Sequence, residues 1–247
     1  MPIILLYHAI QTLTSEQDPY ALAVTPQAFA TQMAYLANNG YQCLPLVEIV
    51  RAWKTRQSLT RKVFAITFDD GYKDNYETAL PIMQQHGFTA TIFLVTDQLG
   101  KISNWDGQQN ERALPLMSWD EVRAMKEQGF DFGSHTRTHP RLTHLDAERA
   151  REEICTSRQI MADELGAPPV IFAYPYENFN PDMERIVEDC GYLGAMGSPI
   201  YGENLFNLWR TEFGTRDTMR RFAFKVSRAY RPFILAKKYL RRVIKGK

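Results

Sequence analysis

The sequence predicts an α/β barrel, a ring of parallel strands with helices outside. Two observations carry that expectation. Short β-rich runs alternate with helical patterns seven times along the chain, which is the pattern of a parallel sheet built from crossover units. The residues able to do chemistry cluster where those runs end, which is where barrel sites lie. A chain of 247 residues suits one large domain of this kind better than two small ones.

The expected strands are Ile3–Tyr7, Val63–Phe68, Thr89–Val95, Phe130–Ser134, Val170–Tyr174, Leu193–Met196 and Leu208–Thr211. Helices between them carry start signals. Thr25-Pro26 places an N-cap before a proline at the first helical position. Ser118-Trp119-Asp120-Glu121 reads as a capping box. Leu145-Asp146 and Asn180-Pro181 open two more helices. Gly40, Gly87, Gly129, Gly166 and Gly191 stand where helices should end.

Apolar residues at 45% and charged residues at 23% are ordinary for a soluble globular protein with a full core. Cys43, Cys155 and Cys190 are widely spaced and odd in number, without a C-x-x-C pair, so zinc knuckles and redox dithiols are excluded. They read as structural thiols of a reducing compartment. The first residues lack a basic region and a long apolar run, so a cytoplasmic protein is expected. The net charge of +1 hides an asymmetry. Residues 216–247 hold twelve Lys/Arg and one acid, a net of +11, which leaves −10 on residues 1–215. A basic helical tail on an acidic body suggests an anionic partner, a membrane surface at the inner face being one. As a helix, the tail would turn Phe233, Leu240, Val243 and Ile244 to one side. Nucleic acid is not expected, since the body is acidic and no base-reading motif occurs.

Thr67-Phe68-Asp69-Asp70-Gly71-Tyr72 ends a strand with two adjacent carboxylates. Such a pair is costly unless a positive charge sits beside it. With a metal ion, one carboxylate can ligate while the other takes a proton from water. Gly71 permits the sharp turn that follows; a bare N-cap turn is the bland alternative. Ser134-His135 to His139-Pro140 sets two histidines at i and i+4, which on one side of a helical turn can meet one ion. Imidazoles with a carboxylate make an open catalytic metal set. His144 is off the pair's register, and His86 precedes Gly87 at a helix end.

These two motifs together resemble the polysaccharide deacetylases of the NodB-homology type, carbohydrate esterase family 4, over roughly residues 1–215. The resemblance implies a distorted (β/α)7 barrel. It makes Asp69 the catalytic base and Asp70, His135 and His139 the ligands of a divalent metal, most naturally Zn2+. The family's third motif carries an Arg before Pro-Tyr-Gly. Here Phe172-Ala173-Tyr174-Pro175-Tyr176-Glu177 keeps Pro175 and Tyr176, lacks the Arg and has Glu177 for Gly. By resemblance the Tyr176 amide faces the oxyanion, while Arg210, on another strand, could supply the missing charge that holds Asp69. The family's C-terminal Leu-x-His is absent, yet Leu6-Tyr7-His8 fits it at the other end of the chain. The chain thus looks like the circularly permuted branch that includes poly-N-acetylglucosamine deacetylases, with His8 as general acid.

The function implied is metal-dependent removal of acetyl from an N-acetylated sugar, whether polysaccharide, oligosaccharide or lipid-linked glycan. Tyr72, Trp105, Trp119 and Trp209 are candidate sugar platforms. Exposure is expected for Trp105, in a polar loop, and core burial for Trp119. Two other readings share these residues: hydrolysis of a different amide such as a cyclic ureide, and an inactive glycan- or membrane-binding protein. The intact Asp69, Asp70, His135 and His139 speak against inactivity, and the missing Arg speaks for an altered substrate.

Overall fold

A computed structural model describes residues 2–59, 62–103, 105, 113–198 and 203–244, with side chains up to residue 237. The chain divides into two compact units, Met1–Thr215 and Arg216–Lys247.

The first unit is a nearly closed ring of parallel strands. In chain order these are β1 (Ile3–Tyr7), β2 (Gln42–Cys43), β3 (Val63–Phe68), β4 (Thr91–Leu94), β5 (Asp131–Ser134), β6 (Ile171–Ala173), β7 (Gly194–Gly197), β8 (Leu208–Trp209) and β9 (Thr211–Glu212). Around the ring they run β8-β7-β6-β5-β4-β3-β1-β9, with β2 paired to β3 off this path. The expected strand Leu208–Thr211 is thus corrected to two. Its first half pairs β7 and its second half pairs β1, because the chain steps across the seam of the ring at Arg210. The first and last strands are neighbours.

Every residue of β3 is buried, as parallel strands covered on both faces require. The interior cluster joins Ile4, Ala65, Phe93, Ile171, Ala173, Met196 and Leu208 from six strands. Helix α2 (Leu46–Lys54) adds Leu46, Ile49 and Val50 to it. Phe93 fills the interior opposite Gly133, where a Cβ would meet its ring at 2.3 Å. On the outside, α5 (Ala147–Leu165) and α6 (Pro181–Asp189) cover β6 and β7 through Ile154, Met183, Ile186 and Val187.

The start signals act as expected. Thr25 caps α1 (Pro26–Asn38), Asp146 caps α5 and Asn180 caps α6. Ser118 and Glu121 close a full capping box on α4 (Trp119–Glu127). All five helix-end glycines are left-handed. Two elements lacked such signals. Strand β2 is two residues long, and α2 begins after Pro45 with no side-chain cap.

The cysteine reading is corrected. Cys155 on α5 and Cys190 after α6 form a disulfide, their Cα atoms 5.2 Å apart. The argument from cysteines for a reducing compartment therefore fails. Cys43 is a free thiol whose pKa burial pushes up to about 11, against the weaker opposing effect of its bond to the Thr89 carbonyl.

The second unit holds α7 (Met219–Lys225), capped by Thr218, and α8 (Tyr230–Ile244). Phe224 packs edge-on against Tyr230 and Phe233 at 5.6 and 5.5 Å between ring centres. Phe224, Phe233 and Leu235 are nevertheless 40, 50 and 48% exposed. Leu240, Val243 and Ile244 lie outside the described side chains.

Candidate active site

Strand register levels the reactive residues at one end of the ring. Tyr7 pairs Phe68, and the Asp69 amide donates to the Tyr7 carbonyl, so His8 and Asp69 emerge side by side. Leu94 pairs Ser134 and Ser134 pairs Phe172, which brings His135 level with the start of the Tyr174-Pro175-Tyr176 turn. A cavity of about 530 Å³ opens there, with His8, Asp69, Asp70, Tyr72, Trp105, His135, His139, Tyr176 and Arg210 in its wall.

Asp69 and Arg210 form a buried bidentate pair. Both terminal guanidinium nitrogens, Nη1 and Nη2, donate to the carboxylate at 2.6 Å, and Nη1 also reaches Thr67 Oγ1 at 3.3 Å. Burial pushes the Asp69 carboxyl up, but Arg210, with His135 and His8 adding to it, brings it below its ordinary value. Arg210 thus holds Asp69 ionised from the seam of the ring.

Asp70 Oδ1 lies 3.5 Å from His135 Nε2 and 3.3 Å from His139 Nε2. All three side chains are buried, with donor atoms within 4.8 Å of one another, and they form a group that could hold a metal ion. The donor set fits. His135 Nδ1 is 2.8 Å from the Ala173 carbonyl; donating there, it leaves Nε2 bare for ligation. Burial and His139 push the His135 pKa down to about 4 against the pull of Asp69 and Asp70, so the ring is neutral as a ligand must be.

The histidine pair corrects one expectation. His135 and His139 sit on a loop rather than a helical turn. Thr136 and His139 take left-handed φ of 71° and 66°, which folds the segment back on itself. The His139 amide donates to Thr136 Oγ1. Glu153 on α5 accepts from the amides of Arg137 and Thr138 and from the Thr138 hydroxyl. Asp70, Tyr176 and Glu177 are left-handed as well. Each such residue costs about 1 kcal/mol, and Asp70, His139, Tyr176 and Glu177 all line the one cavity, the kind of place where such strain collects in proteins.

Tyr176 packs its ring on His139 at 4.5 Å, under the Arg141 guanidinium at 4.1 Å. Pro175, next to it in the chain, is buried. Glu177, where the family pattern has Gly, adopts φ 49°, a conformation glycine takes without strain. Burial raises its carboxyl, opposed by a bond to Ser198 and by Arg210.

His8 lines the cavity, outside the three-residue group, and its Nδ1 has no hydrogen-bond partner among the described residues. Two residues that sequence reasoning missed hold it. Asn75 donates to the His8 carbonyl at 2.9 Å, and Asp74 accepts from the Ile10 amide at 2.9 Å. Asn75 begins a π-helical turn that runs into α3 (Leu80–Gln84), a local irregularity common at functional sites. The platform expectations change. Tyr72 and Trp105 line the cavity but are only 3 and 7% exposed, and the Trp105 ring is tilted by 36° against that of His139, with centres 4.6 Å apart. Trp119 and Trp209 are half-buried and outside the cavity wall; the half-buried His86 and the exposed His144 lie outside it as well.

Residues 56–195 match the polysaccharide deacetylase family. The chain is 28% identical over 197 residues to the polysaccharide deacetylase-type protein YxkH of Bacillus subtilis, covering 79% of this chain and 64% of that one. It is 26% identical over 191 residues to the poly-beta-1,6-N-acetyl-D-glucosamine N-deacetylase of Staphylococcus epidermidis, covering 74 and 63%. The chain thus spans less than two thirds of the length of these relatives. Among solved structures, the deacetylase PplD of Streptococcus pyogenes superposes with a TM-score of 0.79 at 23% identity, covering 92% of this chain and 98% of that one. IcaB from Ammonifex degensii gives 0.72 at 22% identity, covering 91 and 97%. At these identities the superpositions speak for the fold.

Proposed function

The chain belongs to the polysaccharide deacetylase family, and from that premise we propose that it is a metal-dependent hydrolase that removes acetyl from an N-acetylated glycan. The observation that carries this reading is the buried Asp70, His135 and His139 group beside an ion-paired Asp69 in one cavity. Asp70, His135 and His139 would hold a divalent ion, Zn2+ being the natural choice for this donor set, which would supply a lowered pKa for water and polarisation of a carbonyl. Asp69, kept ionised by Arg210, takes the proton from the attacking water. The Tyr176 amide donates to the oxygen that gains charge. His8 protonates the nitrogen, so that a neutral amine leaves. Its place beside Asp69, at the end of the strand that neighbours the last one, supports both this role and the permuted order of the barrel.

The test is mass spectrometry of N-acetylated oligosaccharides and lipid-linked sugars incubated with the protein. Loss of one acetyl group is expected with added Zn2+ and none after chelation. Loss that survives exhaustive chelation would sink the metal-dependent reading.

The second unit supports a surface role. Its net charge of +11 and the exposed Phe224, Phe233 and Leu235 fit an interfacial segment on an anionic membrane. Each basic residue near such a surface contributes about 1 kcal/mol. Flotation with phosphatidylserine-containing vesicles is expected for the full chain, to weaken with salt and to fall when residues 232–247 are removed. Equal flotation of both chains would leave the segment no membrane role.

A further inference from the structure

Among the described residues of the cavity wall is an aromatic ring that no sequence motif singles out. Tyr20 is 61% exposed. The other described aromatics there are more enclosed. Tyr72, Trp105 and Tyr174 are buried, and Tyr176 lies between His139 and Arg141. A pyranose presents an apolar C–H face that gains by covering a solvent-exposed aromatic face, and among the described cavity residues Tyr20 is the ring most open to one.

The segment that carries Tyr20, between β1 and α1, is built and held. Asp18, only 6% exposed, accepts from the amides of Leu22 and Ala23 and from the Thr215 hydroxyl. Ala21 is left-handed at φ 58°, and its carbonyl accepts the Thr215 amide at 3.1 Å. Gly214 makes room for this, since a Cβ there would stand 2.0 Å from the Ala21 oxygen. The Val24 amide returns to the Ala9 carbonyl. The Tyr20 backbone is thus pinned to the chain just after β9, the strand that also brings Glu212 to the cavity wall. Leu22 lines the same wall.

We propose that Tyr20 is the platform for a second sugar ring of the substrate, next to the unit whose acetyl group is removed. Leu22 extends its apolar face, and Glu212 accepts hydrogen bonds from that second ring. The assignment rests on the deacetylase reading and makes this loop the part of the protein that distinguishes an oligomer from a single sugar.

The experiment compares acetyl release from N-acetylglucosamine and from its β-linked dimer to tetramer by the Zn2+-loaded wild type, Tyr20→Ala and Tyr20→Phe. In the wild type, kcat/KM should rise with chain length. In Tyr20→Ala the ratio of tetramer to monosaccharide kcat/KM should fall roughly tenfold, mainly through KM, as expected for loss of one aromatic contact. Tyr20→Phe should restore the ratio, because the ring and not the hydroxyl is required. An unchanged ratio in Tyr20→Ala, or a wild type that is active but indifferent to chain length, overturns the assignment. A wild type that releases acetyl from neither sugars nor 4-nitrophenyl acetate overturns the deacetylase reading itself, which separates the two failures.

Discussion

Alanine in place of His135 is expected to empty the metal site and reduce acetyl release at least 10²–10³-fold, roughly the loss seen when one stabiliser of an oxyanion is removed. The proposed site has three protein donors within 4.8 Å, and an open catalytic site keeps its remaining position for water and substrate. Two donors cannot replace three. Metal analysis of the purified variant, with circular dichroism to verify the fold, reads the first half of the expectation. His8→Ala provides the contrast, because His8 lies outside the donor group. It should retain the metal and lower kcat by about 10²–10⁴-fold, the span of acid–base assistance. Wild-type metal content in His135→Ala would reject the ligand assignment. Lost metal in His8→Ala would make that residue a ligand and require another proton donor.

Arg210→Leu is expected to destabilise the fold by about 3–5 kcal/mol, because it strands a buried carboxylate without its partner. That is a large share of the usual 5–15 kcal/mol of a folded domain. The pair is bidentate, and both side chains are almost wholly buried. Catalysis should fail with it. Without the guanidinium, burial acts unopposed by its largest counterweight, the Asp69 carboxyl moves up, and less of it is ionised to accept a proton. Arg210→Lys should recover only part of either loss, since an ammonium cannot make the two-pronged contact. Adding Asp69→Asn to Arg210→Leu should return much of the stability but none of the activity, because the stranded charge is gone and so is the base. Urea denaturation of the three variants at neutral pH measures this. A single variant within about 1 kcal/mol of wild type, the ordinary effect of a substitution, would mean that the pair is dispensable to the fold.

The sequence offered Arg210 as a charge for Asp69, but only the fold shows that the two meet. Arg210 lies 141 positions from Asp69, and nothing local records that β8 and β9 sit on opposite edges of the ring. The histidine loop is similar. An i, i+4 spacing is as compatible with a helical turn as with a loop, and the deciding anchor, Glu153, lies on α5. The disulfide between Cys155 and Cys190, 35 residues apart, exists because α5 and α6 pack side by side. Tyr20 stood in no motif, and the burial of its rivals Tyr72 and Trp105 alone singles it out.

What the sequence by itself determined was local chemistry: the alternation of strands and helices, the caps at Thr25, Ser118, Asp146 and Asn180, and the presence of Asp69-Asp70 and of His135 with His139 after two strands. These depend on neighbours a few residues away, and backbone hydrogen bonding and side-chain size decide them. Only the tertiary structure decided which of those groups face one another, because closing the ring sets distances between residues that the chain keeps far apart. Burial then assigns their charges. A carboxylate beside a guanidinium stays ionised, and a buried imidazole that donates from one nitrogen to a carbonyl stays neutral and presents the other.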